Sequence, residues 1–167
     1  MKQTIHIYYQ SRLAIVRDAK IEDVFELADN LRMEDIAEVY FSHHKSPEDA
    51  LFSSYTNSIF CLTIERNEKP ICLFGIVPIT ILGNIAIIWL LASPELEKIQ
   101  KAFVKHSRQF IEMMLGYYPL LFNYVDCKNV ISIKWLKFCG AIIEEPKPYG
   151  IEGAYFRHFY FKRAYER

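Results

Sequence analysis

Few side chains in this sequence are typed and spaced for chemistry, and each has a packing or solvation role beside the reactive one. His106 could move a proton, because an imidazole titrates near neutrality. Its spacing from Ile99, Ala102, Phe103 and Phe110 sets it on or beside a buried helical stripe, so packing is its first reading. His43-His44 could bind metal or pass protons, yet the pair falls at a polar helix end or loop. Lys101, Lys105 and Arg108 share one helical stripe, which serves as a solvated face or as a patch for phosphate or RNA. Cys61, Cys72, Cys127 and Cys139 form no Cys-x-x-Cys pair and no metal-ligand spacing. Each lies in an apolar segment, where a free cysteine acts as a small hydrophobe. No metal site is expected.

The 167 residues suit one domain, expected over 1–167 with its core at about 13–162. Hydrophobic residues make up 51% and aromatics 15%, enough for a core without disulfides or metals. Lys+Arg and Asp+Glu both count 20, so bulk charge draws the chain to neither nucleic acid nor an anionic membrane. Met1-Lys2-Gln3-Thr4 leads into no signal-like apolar run. The longest apolar stretch, Ile85 to Ala92, is eight residues, against about 20 for a membrane span. The chain is therefore expected to stay in the cytoplasm where it is made.

Leu13 to Arg17 reads as a short strand. Ile21, Val24, Phe25, Leu27, Ala28 and Leu31 recur at helical spacing, and Met33, Ile36, Ala37 and Tyr40 continue as a second helix. Ser46-Pro47-Glu48-Asp49 supplies an N-cap, a first-turn proline and two acids, which starts a third helix. From residue 59 the period changes to that of strands. Ile59–Ile64 and Ile71–Ile79 form a hairpin around Asn67-Glu68-Lys69-Pro70. Ile85 to Leu91 is apolar on both faces and reads as a central strand covered by helices on each side. Trp89 and Trp135, each in such a run, are expected to be largely buried. Ser93-Pro94-Glu95 opens the longest helix, which Gly116 and Pro119 end near Leu115. Leu120 to Val125 is a strand, Asn129 to Phe138 a helix, and two final strands, 141–143 and 155–161, flank the Pro146–Gly153 loop. The fold class is α/β with a mixed sheet.

This order, with Asn129-Val130-Ile131-Ser132-Ile133-Lys134-Trp135-Leu136-Lys137-Phe138-Cys139-Gly140-Ala141 in its strand-then-helix slot, resembles the GNAT acyltransferase fold over about residues 13–162. Asn129 caps the helix and Gly140 supplies its left-handed end. The resemblance implies that the strands at 85–92 and 120–126 run parallel and splay into a cofactor cleft. It also implies a glycine-containing phosphate loop before the long helix. That place holds Ser93-Pro94-Glu95-Leu96-Glu97-Lys98-Ile99-Gln100-Lys101-Ala102, with no glycine or arginine. Without glycine the backbone cannot easily turn its amides inward, and Glu95 and Glu97 repel a diphosphate. The family's acid, a tyrosine seven residues after the helix-opening Asn, is Leu136 here, and the central strand carries no Asp, Glu or His as base. If acetyl-CoA binds at all, the resemblance leaves Asn129, Ser132, Leu91 and Ser93, with central-strand amides, to hold it.

A second set of segments narrows the likeness: Pro47-Glu48-Asp49-Ala50-Leu51, Phe74-Gly75-Ile76-Val77-Pro78, Phe103-Val104-Lys105-His106-Ser107-Arg108, Lys134-Trp135-Leu136 and Pro148-Tyr149-Gly150 among them. Together they resemble the GNAT-like internal virion proteins of short-tailed bacteriophages, a group whose phosphate loop is typically degenerate. That resemblance implies a catalytically degenerate protein of virion assembly in the host cytoplasm or packaged in the particle. Its partners would be other phage virion or assembly proteins or a second copy, with no cofactor expected. The alternative is an acetyl-CoA-dependent N-acetyltransferase acting on an unknown amine or protein. In the loop from Glu145 to Gly153, two prolines and two glycines either present Tyr149 as a partner anchor or fold its ring back onto the core.

Overall fold

A computed structural model describes residues 5–80 and 82–164. The opening Met1–Thr4, read above as leading into no signal segment, lies outside the described residues. Among the described residues nine strands build one mixed sheet: β1 (Ile7–Gln10), β2 (Ile15–Asp18), β3 (Phe60–Arg66), β4 (Lys69–Pro78), β5 (Ile85–Ala92), β6 (Leu120–Asp126), β7 (Ile142–Ile143), β8 (Lys147–Pro148) and β9 (Tyr155–Lys162). Five helices cover it: α1 (Ile21–Ala28), α2 (Met33–His43), α3 (Pro47–Asn57), α4 (Gln100–Tyr117) and α5 (Val130–Phe138). The strand order is β1-β2-β3-β4-β5-β6-β9-β7, with β8 also on β9. Every pairing is antiparallel except β5 with β6.

The local signals act as their chemistry requires. Ser46 accepts a hydrogen bond from the Asp49 amide at 3.1 Å with Pro47 in the first turn of α3. Asn129 does the same for α5 through the Ser132 amide at 3.2 Å, and Gly140 follows at φ +93. Asn67 and Glu68 both take left-handed conformations, φ 51 and 61, between the paired Arg66 and Lys69. Two left-handed residues match the twist of a two-residue hairpin. Strand β5 buries both faces, as its unbroken apolar run demands. Ala86, Ile88 and Ala92 join the core under α4 and α5, while Trp89 and Leu91 join Val24, Leu27 and Leu51 under α1 and α3.

Three elements depart from the sequence reading. Strand β1 was not expected, because Ile7–Gln10 is mostly exposed and shows no buried alternation. The long helix does not start at Ser93: Pro94–Ile99 forms a 3₁₀ helix, and α4 begins only at Gln100 and runs past Gly116 to Tyr117. Within the Pro146–Gly153 loop, Lys147–Pro148 pairs with β9. Trp135 departs as well: Trp89 is 8% exposed, but Trp135 is only half-buried, packed against the core on one side and lining a cavity on the other.

Candidate functional site

Strands β5 and β6 pair only at Ile85, Ala86 and Ile87 opposite Leu120, Leu121 and Phe122. Beyond that point they part. Asn123 sits at the fork, donating from Nδ2 to the Ile88 carbonyl at 2.7 Å while its Oδ1 accepts from the Tyr124 amide at 2.8 Å. Ligands in open α/β sheets bind beyond the carboxyl ends of such strands, where the facing backbone edges lack a ladder partner.

Helix α2 spans the fork with two carboxylates one turn apart. Asp35 Oδ2 accepts from the Ala92 amide at the end of β5, at 2.7 Å. Glu38 Oε1 accepts from the Asp126 amide at the end of β6 (3.1 Å) and from Asn129 Nδ2 (2.9 Å). Residues three apart on a helix share a face, so α2 holds one splayed strand with each acid. Arg32 closes the first of these ties: its amide donates to the Ala92 carbonyl at 2.9 Å. Its Nε lies 2.9 Å from Asp35 Oδ2 but is not aimed along a hydrogen bond, so the contact is a charge pair and the buried Nε–H has no acceptor among the described residues. Burial pushes the Glu38 carboxyl up to about 7, against its two hydrogen bonds. Burial pushes Asp35 up as well, against the opposing charge of Arg32.

Beneath α4 and beside α5 the fork opens into a cavity of about 420 Å³. Asn123, Tyr124, Glu38, Asn129 and Ser132 lie on its wall, as do the rings of Phe74, Phe103, Phe110 and Trp135. Trp135 Nε1 donates to Ser107 Oγ at 3.1 Å, and its ring lies 5.3 Å from that of Phe103.

Of the residues singled out from sequence for a cofactor, Asn129 and Ser132 line this cavity and Leu91 and Ser93 do not. Leu91 turns to the α1–α3 face. Ser93 is sewn to β4: its amide and hydroxyl both donate to the Ile71 carbonyl, at 2.9 and 3.3 Å. The segment after it is no anion nest. The Leu96 amide bonds to the Ser93 carbonyl and the Gln100 amide to Glu97, while Leu96 and Ile99 are buried. Glu95 pairs with Lys98 and, at 3.2 Å, with Arg66, and this pairing holds its carboxyl below the usual range. Glu97 borders the cavity unneutralised by any ion pair among the described residues. A coenzyme diphosphate does not fit residues that spend their amides internally and present carboxylates.

His106 packs against Tyr9, ring centroids 4.4 Å apart and tilted by 43°, and Arg108 lies over the Phe138 ring at 4.3 Å while donating to the Phe138 carbonyl. Lys101 and Lys105 stay exposed. His44 caps α2 in the left-handed region and pairs with Glu152 at 3.3 Å; burial and Lys45 lower the pKa of His43. No group of acids, histidines and cysteines able to hold a metal occurs among the described residues. Tyr149 folds back: its ring stacks on Tyr124 at 3.9 Å and 10°, with Gly150 so close to the Phe41 carbonyl that a Cβ there would meet it at 2.2 Å. Arg32, Asp35 and Glu38 were missed, although three polar residues at i, i+3, i+6 along a helix with apolar neighbours are a readable signal.

A family model described as "Bacteriophage T7, probable scaffold protein Gp13" matches residues 71–146, which span β4 to β7. No curated protein sequence matches the chain. Among solved structures, spermidine N-acetyltransferase from Vibrio cholerae, in complex with CoA and spermine, superimposes with a TM-score of 0.65 at 17% identity over 91% of this chain and 96% of that one. Ribosomal-protein-S5-alanine acetyltransferase from Vibrio fischeri gives 0.65 at 16% identity over 93% and 94%. A GNAT-family acetyltransferase from Bacillus anthracis gives 0.62 at 8% identity over 93% and 96%. The chain has the GNAT acetyltransferase fold.

Proposed function

We infer that this GNAT-fold chain is a phage protein that serves particle assembly without acetyl transfer. The observation that carries the reading is the Pro94–Ile99 turn, where the fold's phosphate loop would lie. The Leu96 amide is spent on the Ser93 carbonyl and the Gln100 amide on Glu97, and Glu97, in no ion pair among the described residues, adds negative charge where a diphosphate would need positive or neutral ground. The likeness of residues 71–146 to a phage scaffold family supports the assembly role. The partners are then other virion or assembly proteins of the phage, or a second copy of the chain, met in the host cytoplasm.

A second reading, an acetyl-CoA-dependent N-acetyltransferase, rests on the open fork with Asn129 and Ser132 on its cavity. The amide of Ala92, one of the central-strand groups that this reading needs, is already bound by Asp35. Particle analysis separates the two. Mass spectrometry of purified phage particles should find the chain at constant copy number, and particles made without it should lack another component or form poorly. Normal particles made in its absence refute the assembly role.

A further inference from the structure

The cavity does not stop at the fork. Its lining runs from Asn129 beside β6, across Ile88 on β5, Phe74 on β4 and Ile64 on β3, to Ala14 by β2. Strands lie about 4.8 Å apart, so four spacings give a length of roughly 19 Å. Spread over that length, about 420 Å³ leaves room for one extended chain and none for an α-helix, whose diameter is about 10–12 Å. A cleft of about 420 Å³ falls within the range of small-molecule sites, about 300–1,000 Å³. Beyond the fork most of the wall is apolar, with Ser11, Glu97, Gln100, His106 and Ser107 set among the apolar side chains. Those few polar groups cannot pair every N–H and C=O of a threaded peptide strand, which disfavours a peptide there.

The polar end sets the head group. Glu38 Oε2 and Ser132 Oγ make no hydrogen bond among the described residues, and both belong to residues tied to Asn129. Among the described residues the one arginine or lysine on the wall is Arg32, whose charge is matched by Asp35, while Glu34 and Glu97 add negative charge. An anionic head is repelled there; an ammonium or hydroxyl finds acceptors. We propose that the cavity holds the chain of a linear aliphatic amphiphile whose ammonium or hydroxyl head sits at Glu38 and Ser132. This does not depend on the assembly reading.

Calorimetric titration of the purified chain with alkylamines from hexyl to dodecyl, below micelle formation, tests the site. Affinity should rise about fourfold per added methylene, the effect of burying about 0.8 kcal/mol each. Dodecanoate should bind at least tenfold more weakly than dodecylamine, and octanol should follow octylamine. Ile64 lies about 14 Å from β6 by strand spacing. A dodecyl chain of roughly 15 Å passes it and a hexyl chain of roughly 7 Å does not, since each bond of about 1.5 Å advances a zigzag chain by about 1.25 Å. Ile64→Phe should therefore weaken dodecylamine tenfold or more and leave hexylamine unchanged. Affinity that does not grow with chain length, equal binding of dodecanoate, or an Ile64→Phe protein of native melting temperature that still binds dodecylamine overturns the proposal. Should that variant not fold, the series on the natural chain decides alone. A separate titration with acetyl-CoA reports on the assembly reading, so the two can fail independently.

Discussion

Glu38→Gln should stabilise this protein at alkaline pH and do little at pH 5. The buried Glu38 carboxyl has its pKa raised from 4.5 to about 7, with burial as the main cause. A carboxyl whose native pKa lies above its unfolded value binds more protons folded than unfolded between the two. Its contribution to stability is therefore complete below about pH 4.5 and is lost as pH rises through about 7. The gap of about 2.5 pH units, at 1.36 kcal/mol each, amounts to about 3 kcal/mol by pH 8. Glutamine keeps the oxygen that accepts from the Asp126 amide and Asn129 Nδ2, and it cannot ionise. Urea unfolding of both proteins from pH 5 to 8.5 should show Glu38→Gln gaining about 3 kcal/mol on the natural chain over that range. For a chain of this length the gain is about 6–12 °C in melting temperature. A difference that stays constant with pH would refute the burial of Glu38 as the cause of its shift, and with it the tie from α2 to β6.

Trp89→Ala should cost about 3–5 kcal/mol, since the ring is buried and its Nε1 donates to Ser58 Oγ at 2.8 Å; Trp135→Ala, on the cavity wall, should cost clearly less, and denaturant unfolding compares them. Glu68→Gly should raise stability by about 1 kcal/mol, because the left-handed turn position penalises any side chain with a Cβ; a lowered melting temperature contradicts that turn. Tyr149→Ala should lower stability by about 1–2 kcal/mol through loss of the stack on Tyr124, a fall in thermal melting that a solvent-facing anchor would not show.

The parts of this fold that were legible in the sequence are those decided by local chemistry. The Ser46 and Asn129 caps, the Asn67 hairpin and the two-faced apolar run of β5 each announce themselves within a few residues. Strand β1 did not, because an edge strand with exposed faces leaves no alternation to read. The 3₁₀ turn at Pro94–Ile99 was hidden for a related reason: proline and acids open either helix type, and only the burial of Leu96 and Ile99 against the sheet fixes the tighter one. At the candidate site, the missing glycine nest was visible in residue types alone. The tie from α2 was not, since Asp35 and Glu38 reach β5 and β6 across 57 and 88 residues of chain. Trp135 misled because an apolar run does not say whether its neighbours pack or leave a void.

The proposed function requires that the GNAT scaffold here no longer holds a coenzyme. Isothermal titration of the purified chain with acetyl-CoA tests it most directly. Dissociation in the millimolar range or weaker, about −4 kcal/mol or less favourable, is expected from the amides spent at Leu96 and Gln100 and from the carboxylate of Glu97. Saturable binding in the micromolar range would contradict the account and favour the acetyltransferase.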